Sequence, residues 1–179
     1  MPPADAGSRQ HFTIAVRSPF PWTSLLAYFT TRLIEGFETV DAAGYTRVGR
    51  NHRVHVGYDE TRALLNVASD GLTRVDAATR IEHLFRPQQD VRDAEALLAR
   101  SPLFASRIAR CPGFRPLGCW SAFELCIRTL LGQQVTVVAA RTLLRRLIAR
   151  CGELTPEAVA AAELFLLLPR HERTLKIIS

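Results

Sequence analysis

In the string LLGQQVTVVAA, Gln133 and Gln134 follow Gly132 directly and sit between two apolar runs. A helical core has little use for two adjacent primary amides. Gly132 supplies the residue that commonly finishes a helix through a positive φ, and Thr136 is suited to N-cap the next helix. The pair is therefore predicted at the tip of a helical hairpin. At such a tip the two amides either form a plain polar turn or make a wedge that can enter a nucleic-acid duplex.

The helix predicted after the tip carries Arg141, Arg145, Arg146 and Arg150 as two i,i+4 pairs, with Val138, Leu143, Leu144 and Leu147 among its buried positions. No acidic residue occurs between Glu124 and Glu153. Such a face is either merely solvated or built to meet an anion, because like charges at this spacing repel one another. With phosphates as the anion, the arginines would hold the backbone while the tip entered the stack. Arg128, one helical turn from the tip, is a further phosphate candidate.

The whole chain has 179 residues, a net charge of +6 and an apolar content of 47%, the balance of a folded globular protein. Residues 1–106 carry 12 basic and 12 acidic side chains, whereas residues 107–179 carry 11 basic and 5 acidic ones. The whole cationic surplus thus lies in the part that holds the tip, which favours a polyanionic partner. Cys111, Cys119, Cys126 and Cys151 have neither zinc-ribbon nor CxxC spacing, and are expected as reduced thiols packed on helices. No metal site or cofactor is expected. The N-terminus lacks an apolar signal core and no long apolar run follows, so a cytoplasmic protein without a membrane span is expected.

The elements that must position these residues fall into two kinds. In HFTIAV, Phe12, Ile14 and Val16 alternate as in a half-buried strand. From Trp22, the residues Leu25, Leu26, Phe29 and Leu33 step by three and four, which predicts a helix over WTSLLAYFTTRLI ended by Gly36. YTRVGR, RVHVGYD and ALLNVA then read as three strands of an antiparallel meander, followed by a helix from about Asp76 to Phe85. Beyond Asp90 only helical spacing is found, with weaker segments after Thr155 and Pro169. In CWSAFELCIRTLL, Trp120, Phe123, Ile127 and Leu130 form the expected apolar stripe. The fold class is α+β: an antiparallel-sheet domain over residues 1–88, then an all-α region over 89–179.

With these elements in order, PGFRPLGCWSAFELCIRTLLGQQVTVVAARTL resembles the first helices of the helix-hairpin-helix DNA glycosylases, in particular the AlkA-type 3-methyladenine-DNA glycosylase II branch. SPFPWTSLLAYF, ETVDAAGYTRVGR and IEHLF are similar to successive segments of that branch's N-terminal, TBP-like α+β domain. The resemblance spans residues 12–179. It implies hydrolysis of the N-glycosidic bond of alkylated purines in double-stranded DNA after the nucleotide is flipped from the stack; a monomer is expected. Gln134 falls at the family's wedge position, with Gln133 bracing the turn. Tyr28 falls where an aromatic lines the base pocket, a role suited to a cationic alkylated base; the bland alternative is a half-buried helix aromatic. Trp22 is expected at the domain junction. The family's catalytic Asp, which follows a Gly-rich hairpin, has no counterpart in these residues. LLLPRHERTLKIIS resembles the segment just before that hairpin, so the Asp is expected beyond Ser179. A catalytically incomplete N-terminal portion is therefore expected. The other class of function is a non-catalytic DNA-binding or damage-sensing module.

Overall fold

A computed structural model of the protein describes residues 9–162. Five strands make one antiparallel sheet: β1 (Gln10–Ala15), β2 (Glu38–Asp41), β3 (Gly44–Val48), β4 (Arg53–Asp59) and β5 (Leu64–Asp70). Strands β2 to β5 form the meander, and β1 lies outside β5, giving the order β1-β5-β4-β3-β2. Phe12 pairs with Val67 and Ile14 with Leu65 across the β1–β5 register. Alternation then puts Phe12, Ile14, Val54, Val56, Leu65 and Val67 into one buried cluster.

Helices α1 (Trp22–Thr30) and α2 (Arg74–Phe85) complete that cluster through Leu25, Phe29, Ile81 and Phe85. Each such side chain contributes roughly 1.5–3 kcal/mol through burial. Helix α1 ends earlier than its apolar spacing suggests. The Thr30 and Thr31 hydroxyls donate to the carbonyls of Leu26 and Tyr28, side-chain bonding that offers the backbone an exit from the helix. Strand β2 escapes the apolar alternation because its first residue is a buried acid, Glu38.

The remaining helices are α3 (Arg92–Leu98), α4 (Pro102–Arg110), α5 (Ala122–Gln134), α6 (Val137–Cys151) and α7 (Pro156–Ala161). The fold is α+β as expected. The weak helical signal after Thr155 is α7. The segment after Pro169 lies outside the described residues, and so does Ser179, the point beyond which the catalytic Asp is expected. Among the described residues no helix is long and apolar enough to cross a membrane. The cysteines are unpaired thiols, but Cys119 lies in a loop and Cys126 is exposed on α5 rather than packed.

A second core gathers Leu144, Leu147, Ile148 and Cys151 of α6, together with Leu154 and the half-buried Phe123, Ile127 and Leu131 of α5. The predicted α5 stripe needs correction at both ends. Trp120 precedes the helix, because Ser121 is the N-cap and accepts from the Glu124 amide. Leu130 is 57% exposed, and Leu131 packs in its place.

The two cores exchange residues. Trp120 and Leu117 join the first cluster, whereas Ile34 and Phe37, from the connection between α1 and β2, join the second. Gly118 makes the crossing possible. Its amide donates to the Leu84 carbonyl, and a Cβ there would stand 1.9 Å from the His83 oxygen. Chain and helix approach too closely for any side chain.

Candidate nucleic-acid interface

Helix α5 runs through Gly132, which takes no positive φ, and ends on Gln133 and Gln134. The reversal is made instead by Val135, in extended conformation, and by Thr136, whose hydroxyl accepts from the Ala139 amide. Both glutamines are exposed. Near them along the chain, Leu130, Val137 and Val138 are 57%, 70% and 74% exposed. Val138, expected among the buried positions of α6, is instead one of the exposed apolar residues that flank the reversal. Such a combination is able to press on base planes while hydrogen-bonding base edges.

Beyond the tip, Arg145 and Arg146 project from α6 into solvent, and among the described residues neither has a hydrogen-bond or ion-pair partner. The stretch without acids is less bare in space than in sequence. Glu35, from the connection between α1 and β2, lines a groove of about 250 Å³ with Val138, Arg141, Thr142 and Arg145. Arg141 is committed further: its Nε donates to the Leu33 carbonyl at 3.1 Å.

Arg128, the phosphate candidate nearest the tip on α5, is taken up by protein groups. Its Nη2 lies 3.1 Å from both Glu38 carboxylate oxygens, its Nε donates to Glu124 at 2.9 Å, and its Nη1 donates to the Arg32 carbonyl. It closes a buried cluster in which Arg47 of β3 bridges Glu38 and Glu124, and the Tyr45 hydroxyl donates to Glu38 at 2.9 Å. Arg47, Glu38 and Glu124 are 3%, 7% and 2% exposed, so these charges are held almost wholly out of water.

Burial alone would discharge such groups, but each has an opposite charge in contact. Burial, the largest single effect, lowers the Arg47 pKa, yet Glu124, Tyr45 and Glu38 together outweigh it and the net shift is upward. Glu124 shows the converse: burial raises its pKa, but Arg47 and Arg128 carry it below the ordinary value. Burial, then Glu38, raises the Tyr45 phenol well above its usual range. These shifts favour the charged forms of Arg47 and Glu124, and the cluster ties α5 to the sheet. Sequence reasoning missed it. The available signal was a pair of charges, Glu124 and Arg128, spaced i,i+4 beside the apolar stripe of α5, together with an arginine at the centre of a strand.

Tyr28 is 39% exposed on α1. The Arg32 guanidinium carbon lies 3.8 Å from its ring centroid, and Phe29 meets the ring edge-on. The phenol ring therefore already stacks with a cation, the kind of partner an alkylated base would be. Trp22 is not a junction residue. It packs on Phe20, Tyr58 and Phe85 within the first core. Trp120 is among the residues that join the lobes, with the His52 ring stacked 5.7 Å away and the Arg47 guanidinium 4.8 Å from its ring centroid. Among the described residues no three His, Cys, Asp or Glu side chains gather to hold a metal ion.

The geometry thus provides an exposed amide tip flanked by exposed apolar residues, two cations on the next helix with no partner among the described residues, and a buried ionic cluster that ties α5 to the sheet. Comparison with known proteins agrees with a glycosylase architecture. The fold matches the solved structure of MBOgg1 in complex with a low-affinity DNA ligand with a TM-score of 0.64, at 14% identity, over 91% of this chain and 57% of that one. DNA-3-methyladenine glycosylase 2 of Escherichia coli (strain K12) is 31% identical over 170 residues, 85% of this chain. The chain spans 58% of that relative's length. Residues 11–121 match the family model of the AlkA N-terminal domain, and the chain belongs to that family.

Proposed function

We propose that this chain engages double-stranded DNA as part of a base-excision repair glycosylase that hydrolyses the N-glycosidic bond of alkylated purines. The observation that carries the reading is the exposure of Gln133 and Gln134 at the α5–α6 reversal, followed on α6 by Arg145 and Arg146, which have no partner among the described residues. The relative's name, DNA-3-methyladenine glycosylase 2, supports the lesion class. In this reading Gln134 fills the gap left by an everted nucleotide and hydrogen-bonds the abandoned partner base. Gln133 braces the turn, Arg145 and Arg146 hold phosphates, and Tyr28 offers its ring to the cationic base.

Hydrolysis also requires a negative charge beside an oxocarbenium-like sugar. Glu124, the carboxylate closest to the tip along α5, is saturated by Arg47 and Arg128 and cannot supply it. That observation favours a second reading for residues 9–162 taken alone, a damage-sensing module without chemistry of its own.

Anisotropy titrations with a duplex containing an abasic-site analogue and with an intact duplex test the shared premise. The parent should prefer the abasic duplex, and Gln134→Ala should lose most of that preference. A Gln134→Ala protein that behaves as the parent on both duplexes removes the wedge reading. Base release from methylated DNA by the product of the complete coding sequence separates the two functions. Released alkylpurine supports the enzyme; none, with the preference intact, supports the sensor.

A further inference from the structure

The two helices that flank the glutamine tip both grip one short piece of backbone. Arg128 lies within about two helical turns before the tip on α5, and Arg141 within about two turns after it on α6. Arg128 Nη1 donates to the Arg32 carbonyl at 3.1 Å, and Arg141 Nε donates to the Leu33 carbonyl at 3.1 Å. The next amide, that of Ile34, donates to Glu38 Oε2 at 2.9 Å, and Glu38 is itself bound by Arg128. Residues 32–34 are the direct continuation of α1, the helix that presents Tyr28. The Arg32 side chain, from the same segment, covers the Tyr28 ring and donates to the Tyr28 carbonyl.

We infer that Arg141, acting with Arg128, is a positioning residue that sets the Gln134 tip at a fixed distance from the Tyr28 helix by clamping the backbone of residues 32 and 33. This rests on the wedge reading of Gln134 given above. It reassigns Arg141, which the sequence places among the phosphate contacts. The reason is geometric. The Arg141 Nε bond spans from α6 to the end of α1 and so joins two elements distant in sequence. Insertion of the tip and presentation of the ring must occur on the same flipped nucleotide, so a slack connection would weaken both at once.

The two roles of Arg141 separate cleanly because glutamine carries its amide nitrogen the same number of bonds from the backbone as arginine carries Nε. Arg141→Gln keeps a donor for the Leu33 carbonyl and removes the charge; Arg141→Ala removes both. Arg141 is exposed, so both variants should fold, which far-UV circular dichroism and a thermal melt verify. Binding to the abasic-analogue duplex and to the intact duplex is then measured across a range of salt for the parent, Arg141→Ala, Arg141→Gln, Gln134→Ala and the double variant Arg141→Ala/Gln134→Ala.

Arg141→Ala should reduce the preference for the abasic duplex about fivefold or more, in the range usual for coupled sites. Its salt dependence should match that of the parent, and Arg141→Gln should retain the parental preference. The double variant should be no worse than Gln134→Ala, because a misplaced tip and a missing tip are the same loss. The proposal is overturned if Ala and Gln at 141 weaken both duplexes alike and each lowers the salt slope by about one, the signature of a phosphate contact. Parental behaviour of Arg141→Ala overturns it too. A Gln134→Ala variant that keeps the preference removes the wedge itself, and the positioning role falls with it; that result is recognisable because it appears in the single variant at 134.

Discussion

Arginine serves two unlike purposes within one stretch of this chain. Arg47, buried, and Arg128, half-buried, are both locked between Glu38 and Glu124. Arg145 and Arg146, one helix further on, stand in solvent with no partner among the described residues. Residue type does not separate these pairs; the arrival of a carboxylate in space does. Glu38 reaches Arg128 from a strand at the far edge of the sheet, an encounter only the folded chain can arrange. The contrast also divides the labour. The buried pairs hold α5 against the sheet, and the free pair is left with its charge available.

The comparison is broken most severely from the buried side. Glu124→Ala would strand Arg47 without its main counter-charge, and losses of roughly 3–5 kcal/mol are usual for such a break. Urea denaturation should find that loss, and replacement of both Glu124 and Arg47 by apolar residues should recover much of it. A smaller effect is expected from pH, through His52, which stacks on Trp120 beside the same cluster. Burial, with help from Arg47 and Arg80 and against Glu153, lowers the His52 pKa in the folded protein. The folded state therefore favours the neutral ring. Its stabilisation is complete above the unfolded histidine value of about 6.5 and is lost as pH falls from there through the lower folded value. Thermal melts between neutral pH and mild acid should show this decline, and His52→Phe should flatten it. The smallest change in stability belongs to the exposed pair. Arg145→Ala should alter unfolding free energy by no more than about 0.5 kcal/mol, yet weaken all duplex binding and lower the salt slope by about one. An Arg145→Ala variant that destabilises the fold as Glu124→Ala does would erase the distinction.

Much of the architecture is readable from residue order because it depends on local periodicity. Alternation exposes β1 and the three strands from Gly44 to Asp70, and threefold and fourfold spacing exposes α1, α2, α5 and α6. The Thr136 cap is equally legible. Strand β2 is hidden because its inward position is held by Glu38 rather than an apolar side chain. The helix through Gly132 runs on past its expected end, since glycine permits a positive φ without requiring one. At the candidate site, the exposure of Gln133 and Gln134 follows from two amides at a reversal. What cannot be read is partnership across long separations: Arg128 with Glu38, Arg141 with the Leu33 carbonyl, and Trp120 with the first core. Those contacts depend on how the lobes meet, and no local pattern encodes them.

Trp120 belongs by chain order to the helical part and Ile34 to the sheet part, yet each completes the hydrophobic interior of the other. Parting the lobes would open a void in both interiors at once. Compliance along this seam is therefore small. On the proposed function, when this surface meets a duplex the curvature needed for a close fit must come from the nucleic acid, whose ease of kinking at a damaged step then becomes part of how the lesion is found.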